Sequence, residues 1–188
     1  MTLRSTPKAF VSAVAMLAAA SVLAACGLGN STQRPKTGEE QYHEAIAEQN
    51  AGLFRACDRI SDQVIADAGL DPRTKADGIA GVKQIGWELC GWTGDWFYIT
   101  VLSTSHSWED VKTNPSNIDF HVVDLPGRDA VAFRHESDKK NEICDVAFPS
   151  SEGVLTVRSS TKAAMKPEMP PCEHALEYAK ILDSHLPR

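Results

Sequence analysis

The stretch Ile85-Gly86-Trp87-Glu88-Leu89-Cys90-Gly91-Trp92-Thr93-Gly94-Asp95-Trp96-Phe97-Tyr98-Ile99-Thr100-Val101-Leu102-Ser103 decides the fold. Ile85, Trp87 and Leu89 alternate with Glu88 and Cys90, the period of two expected of a strand with one covered face. Thr93-Gly94-Asp95 reads as a turn, and residues 96–103 are dominated by aromatic and β-branched side chains. Two such runs around a short glycine-containing turn predict a β-hairpin.

Downstream of the hairpin, Ser107-Trp108-Glu109-Asp110 has the form of a capped helix start, and Pro115 ends that segment. Four further strands are expected at 118–123, 130–134, 143–148 and 154–159. Their connections, such as Leu125-Pro126-Gly127-Arg128 and Pro149-Ser150-Ser151-Glu152-Gly153, are short, which favours antiparallel neighbours in a meander. The chain closes with a helix after Pro170-Pro171, where Ala175, Ala179, Leu182 and Leu186 form one apolar stripe. Upstream, Glu39 to Asn50 reads as a polar helix with Tyr42, Ile46 and Leu53 loosely on one side. Ser61 caps a short helix carrying Val64, Ile65 and Ala68, which Gly69 stops before Asp71-Pro72. Strands grouped together with helices at the two ends predict an α+β domain, a single antiparallel sheet of about six strands with helices packed on it.

The N-terminus carries an address rather than a fold. Arg4 and Lys8 precede an apolar, alanine-rich run from Ala9 to Ala25, and Leu23-Ala24-Ala25-Cys26 has the form of a lipobox. The expected organisation is a lipoprotein signal peptide over 1–25, a lipidated Cys26 with a flexible tether over 26–38, and one domain over 39–188. The tether is polar and rich in Gly, Ser and Thr, and twelve such residues reach about 20 Å. The expected location is the outer face of the cell membrane, held there by lipid on Cys26, with durable attachment needing more than one acyl chain.

Cleavage would remove Arg4 and Lys8 from 19 basic residues and none of the 25 acidic ones, shifting the net charge from −6 to −8. An acidic domain has no electrostatic reason to bind nucleic acid or to add a polybasic membrane contact. Five cysteines become an even four once Cys26 is assigned to lipid. Cys57, Cys90, Cys144 and Cys172 are then expected as disulfides in an oxidising compartment. Three connectivities are open. The preferred one is Cys57–Cys90 with Cys144–Cys172, each closing a loop of about 30 residues and stapling a terminal helix to the sheet. A four-thiolate zinc site is disfavoured because no C-x-x-C pair exists.

These cysteines and their neighbours carry a resemblance. Cys57 precedes a short helix ending Ala68-Gly69-Leu70-Asp71-Pro72, and Cys90-Gly91-Trp92 precedes the strand Phe97 to Leu102. Gly127-Arg128-Asp129-Ala130-Val131, Cys144-Asp145-Val146-Ala147 and Pro171-Cys172 follow, before a last helix ending Leu186-Pro187. Over roughly residues 53–188 the chain resembles an uncharacterised actinobacterial lipoprotein family defined only as a domain of unknown function. It departs from that pattern at Arg55-Ala56, where Asp-Pro is expected in many relatives. The element order is also similar to the Mog1/PsbP-like fold. The family resemblance implies an envelope location and supplies no catalytic residue.

No G-x-S-x-G, H-E-x-x-H, P-loop or Rossmann glycine run occurs. Ser159-Ser160-Thr161-Lys162 and Ser137-Asp138-Lys139-Lys140 match S-x-x-K, and Lys36-Thr37-Gly38 matches K-T-G. The K-T-G lies in the tether ahead of both, and no S-x-N exists, so the set reads as chance. Asp119 and His121 alternate on a strand, with His135 opposite and His106 nearby. Such a trio suits a divalent metal, but solvated or hydrogen-bonded surface roles are the more ordinary reading, and no metal or other cofactor is expected. His174 and His185 lie eleven residues apart on one helix face, too far apart to form a site.

Trp87, Trp92 and Trp96 are the candidate ligand-binding residues. They are interleaved with Gly86, Gly91 and Gly94, and Trp108 follows. They suit either the core of a small sheet or a groove that stacks on a sugar or holds an acyl chain. The leading expectation is a non-enzymatic envelope domain that binds a lipid, a cell-wall fragment or a partner protein. The alternative is an accessory or scaffold subunit of an envelope complex. A small hydrolase using Asp119, His121 or His135 ranks below both.

Overall fold

The computed structural model describes residues 34–188, so the signal peptide expected over 1–25, Cys26 and most of the expected tether lie outside the described residues. The folded unit is α+β, with one open antiparallel sheet of seven strands. The elements run α1 (Gly38–Gln49), α2 (Ala56–Arg59), α3 (Asp62–Asp67), β1 (Asp71–Asp77), β2 (Trp87–Thr93), β3 (Phe97–Thr104), α4 (Trp108–Thr113), β4 (Asn117–Val122), β5 (Val131–His135), β6 (Ile143–Ser150), β7 (Gly153–Thr161) and α5 (Pro171–Leu182). The strand order is β1-β2-β3-β7-β6-β5-β4. The β2–β3 hairpin and the β4-to-β7 meander are both present, joined where β7 pairs with β3.

Local chemistry explains the helix boundaries. Thr37 accepts from the Glu40 amide while the Glu40 carboxylate accepts from the Thr37 amide, a reciprocal cap that starts α1. Ser107 and Asp110 repeat the device at α4, and Ser61 caps α3. Gly69, at a φ of +77°, turns the chain out of α3 in a conformation that side chains resist.

The seventh strand, β1, was not expected from the sequence. Asp71-Pro72-Arg73-Thr74-Lys75-Ala76-Asp77 has no apolar alternation, because it is an edge strand exposed along most of its length. Proline is tolerated there, and charged residues discourage pairing with other chains. Its register on β2 is also interrupted between Asp71 and Ala76.

The two faces of the sheet differ. Cys90, Trp92, Ile99, Val101, Val146, Phe148, Leu155 and Val157 point to one face and form the main core with Phe54, Ile65, Ala175, Ala179 and Leu182. On this face α2 and α3 lie against β1 and β2, and α5 lies against β6 and β7. Disulfides join Cys57 to Cys90 and Cys144 to Cys172, so α2 is tied to β2 and α5 to β6. Arg128 closes the C-terminal end. Its guanidinium donates to the Pro187 and Leu186 carbonyls, pairs with Asp183 and lies 4.4 Å from the Phe148 ring centroid.

The opposite face is covered only in part. β3 and β4 are separated by three intervening strands, roughly 19 Å. The connection 105–116 crosses that distance over the outer face of β7, β6 and β5. Its helix α4 spans only Trp108–Thr113, enough to bring Trp108 and Val111 against Phe133, Ala147 and Val154. A six-residue helix cannot cover a sheet this wide, and a cavity remains beside it.

Candidate functional site

The site follows from alternation on β5, β6 and β7. Cys144, Val146 and Phe148 face the main core, so Asp145 faces the other way. On β7 the same parity sends Thr156 and Arg158 outward. The β6–β7 turn pairs Ser150 with Gly153, and counting five residues back along each strand brings Asp145 directly opposite Arg158. Gly153 is needed at that turn. Its φ is +98°, and a Cβ there would lie 2.6 Å from the Thr104 carbonyl oxygen. On the next strand Phe133 pairs with Asp145, and His135 lies two residues further along the same face.

Asp145 is 2% exposed and forms three charge-assisted bonds. Arg158 donates from Nε to Oδ1 at 2.7 Å and from Nη2 to Oδ2 at 2.8 Å, while His135 Nε2 lies 2.8 Å from Oδ2. Burial pushes the Asp145 carboxyl pKa up, but the bonds and charge of Arg158, followed by those of His135, outweigh it and hold the group below its ordinary range. Burial works against the Arg158 charge too, and Asp145 reverses that effect, raising the Arg158 pKa. His135 Nε2 also lies 2.8 Å from Arg158 Nη2. One ring nitrogen cannot both donate to the carboxylate and accept from the guanidinium, so the tautomer of His135 selects between two bonding patterns.

This pair forms the floor of a cavity of about 500 Å³, a size ordinary for small-molecule sites. Trp87, Leu102, Val111 and Phe133 supply apolar walls, and His106, Asp110, Asn114 and Asn117 lie among the polar lining. Asp110 is held below the usual carboxylate range by the Ser107 hydroxyl and amide it accepts from.

The structure divides the candidate tryptophans between the two faces. Trp87 lines the cavity, with its ring 5.6 Å from that of His106. Trp92 is 1% exposed in the main core. Trp96 is also buried, against Phe97 and His174. Trp108 braces α4, donating from Nε1 to Asp129.

The Asp119, His121 and His135 trio does not assemble. The β4–β5 register shifts between Ile118 and His121, with Asp119 in a left-handed conformation at φ +58°. The extra residue reverses which face the following side chains take. His121 falls opposite Ala132 of the core face, whereas His135 lies in the cavity on the other. Asp119 pairs with Arg134 instead. Among the described residues no group of three His, Cys, Asp or Glu side chains is placed to hold a metal ion.

His174 and His185 do not share a helix face either, since α5 ends at Leu182 and His185 sits in a following 3₁₀ turn. His174 is buried and shares a hydrogen bond with Ser159. Burial lowers its pKa below 6.5, only partly opposed by Glu177. The folded protein therefore keeps His174 neutral where the unfolded chain takes up a proton. Its contribution to stability is complete above about pH 6.5 and is lost as pH falls below that value. Urea unfolding between about pH 7.5 and 5 should show a decline that His174→Gln flattens; an unchanged slope would remove His174 as its source.

Asp145 and Arg158 were not among the residues singled out from sequence. The available signal was a charge on each of two strands otherwise reading as covered, at positions that a hairpin register brings together.

A family model described as protein of unknown function (DUF3558) matches residues 21–185. The chain belongs to this family. No curated protein and no solved structure matches it. Family membership thus leaves the role to be read from the cavity. Among the described residues no helix is long and apolar enough to cross a membrane.

Proposed function

We propose that this chain is a lipid-anchored envelope protein whose folded domain binds a small molecule in the cavity above Asp145 and Arg158. The cavity carries the reading. Apolar walls over a polar floor whose charges are already paired form a lasting binding surface, and α4 leaves it uncovered. The signal-like N-terminus and Leu23-Ala24-Ala25-Cys26 support attachment through the Cys26 thiol. The two disulfides fit an oxidising compartment outside the cytoplasm. A tether reaching about 20 Å would keep the cavity close to the bilayer and its lipids.

The test is native mass spectrometry of the full chain extracted from its own membrane in mild detergent. The expected result is an extra mass that leaves on denaturation and is absent from a Val111→Trp variant, whose indole fills the cavity from the α4 side. Two proteins that each weigh only what their own chain and anchor account for, with no extra mass on either, would remove the binding reading. The covalent mass at Cys26 tests the anchor independently.

A further inference from the structure

We infer that the cavity selects an uncharged acyl compound, an ester or amide whose carbonyl oxygen meets Arg158 Nη1 while its hydrocarbon part lies against Trp87, Leu102 and Phe133. This deepens the ligand-binding reading above and rests on it.

The floor has donors to spare and no free charged acceptor. Both Asp145 oxygens are engaged, and the side chain is 2% exposed. Arg158 spends Nε and Nη2 on Asp145, and its Nη1, with two N–H groups, has no partner among the described residues. That nitrogen is not sealed from solvent, and its side chain is 28% exposed where it lines the cavity. The innermost ligand atom should therefore be a hydrogen-bond acceptor.

Charge then separates carbonyl from carboxylate. The acids and guanidinium lining the cavity are Asp110, Asp145 and Arg158, two negative groups against one positive. Asp145 already neutralises the only guanidinium, so an incoming carboxylate or phosphate would lose its hydration without gaining an unpaired cation. A ligand cation would meet Arg158 at the floor. A neutral carbonyl takes the two free N–H groups at a much smaller desolvation cost. The walls then reward an apolar body.

Hexanamide and hexanoate differ at the head in charge and little in shape, and both are short enough to partition weakly into lipid. The full chain is held in phosphatidylcholine nanodiscs, and each probe is titrated by ligand-observed NMR against empty nanodiscs. The expected result is a Kd for hexanamide at least about tenfold below that for hexanoate, or about 1.4 kcal/mol. In the double variant Asp145→Leu, Arg158→Met, checked for a cooperative melt, hexanamide should bind about tenfold more weakly because its carbonyl loses the Arg158 donors, and an unchanged hexanamide Kd there overturns the contact with Arg158. Hexanoate binding as tightly or more tightly overturns the neutral class, and if Val111→Trp blocks it the cavity still stands as a ligand site. Binding of neither probe also overturns the inference. In that case the native mass of the Val111→Trp protein decides separately whether the cavity holds another ligand.

Discussion

Asp145→Ala should cost the protein about 3 kcal/mol of stability, while Asp145→Leu combined with Arg158→Met should cost far less or stabilise it. The contrast comes from what each change leaves behind. Removing the carboxylate alone strands Arg158 without the one carboxylate that bonds it and breaks the bond to His135. Losing one partner of a buried pair typically costs 3–5 kcal/mol, and the lower end applies because Arg158 keeps partial exposure to the cavity. Replacing both partners with apolar groups of similar volume removes the desolvation penalty together with the attraction. Thermal unfolding of the three proteins at neutral pH measures this. For a domain of this size the single variant should lose roughly 6–12 °C. Equal melting temperatures would mean that the pair does not act as the coupled unit its geometry describes. Acid should imitate the single variant. Because the folded pKa of Asp145 lies below the unfolded value of 3.8, its stabilisation is complete above that value and disappears as pH falls through the folded pKa.

The same pair shows where reading a sequence succeeds and fails. The β2–β3 hairpin was legible in its two strands and its Thr93-Gly94-Asp95 turn, but its faces were read the wrong way round: Glu88, Cys90 and Trp92 are the buried row, Trp87 and Leu89 are half-buried, and Ile85 is exposed outside β2. The stripe of Ala175, Ala179 and Leu182 was legible because all three positions answer to one neighbour, the sheet, whereas Leu186, also buried, lies beyond the end of the helix at Leu182. β1 was not, since an exposed edge strand has no burial to imprint a pattern. The tryptophans divided for a related reason. Their spacing shows that Trp87 and Trp92 take opposite faces of a strand, but which face the helices cover depends on the long connection through α4, a tertiary fact. The bulge at Asp119 changed parity with no glycine to announce it, which separated His121 from His135. Asp145 and Arg158 become visible only when strand parity and hairpin register are applied together, and neither residue belongs to a recognised motif.

Loss of the disulfides should have the second large effect. In the chain-entropy description, the Cys57–Cys90 link, with a sequence separation of 33, and the Cys144–Cys172 link, with one of 28, each restrict the unfolded chain by about 3–4 kcal/mol. The two are unequal in what else supports the helices they hold. α5 buries His174, Ala175, Tyr178, Ala179 and Leu182, and Arg128 pins the residues beyond it, so Cys144→Ala with Cys172→Ala should leave a folded, less stable protein. α2 has four residues and buries only Ala56, so its place over β2 depends more heavily on Cys57. Cys57→Ala with Cys90→Ala should therefore bring early local opening of the 51–70 segment. Hydrogen exchange would detect it as lost protection at the amides of Ile60, Ile65 and Leu70, before global unfolding. Protection at those amides equal to that of the wild type would show that the packing of Phe54, Ile60 and Ile65 holds the segment without the bond. With both links removed the losses should add to roughly 6–8 kcal/mol, comparable to the whole stability of an ordinary domain, so reduction should unfold the protein at physiological temperature.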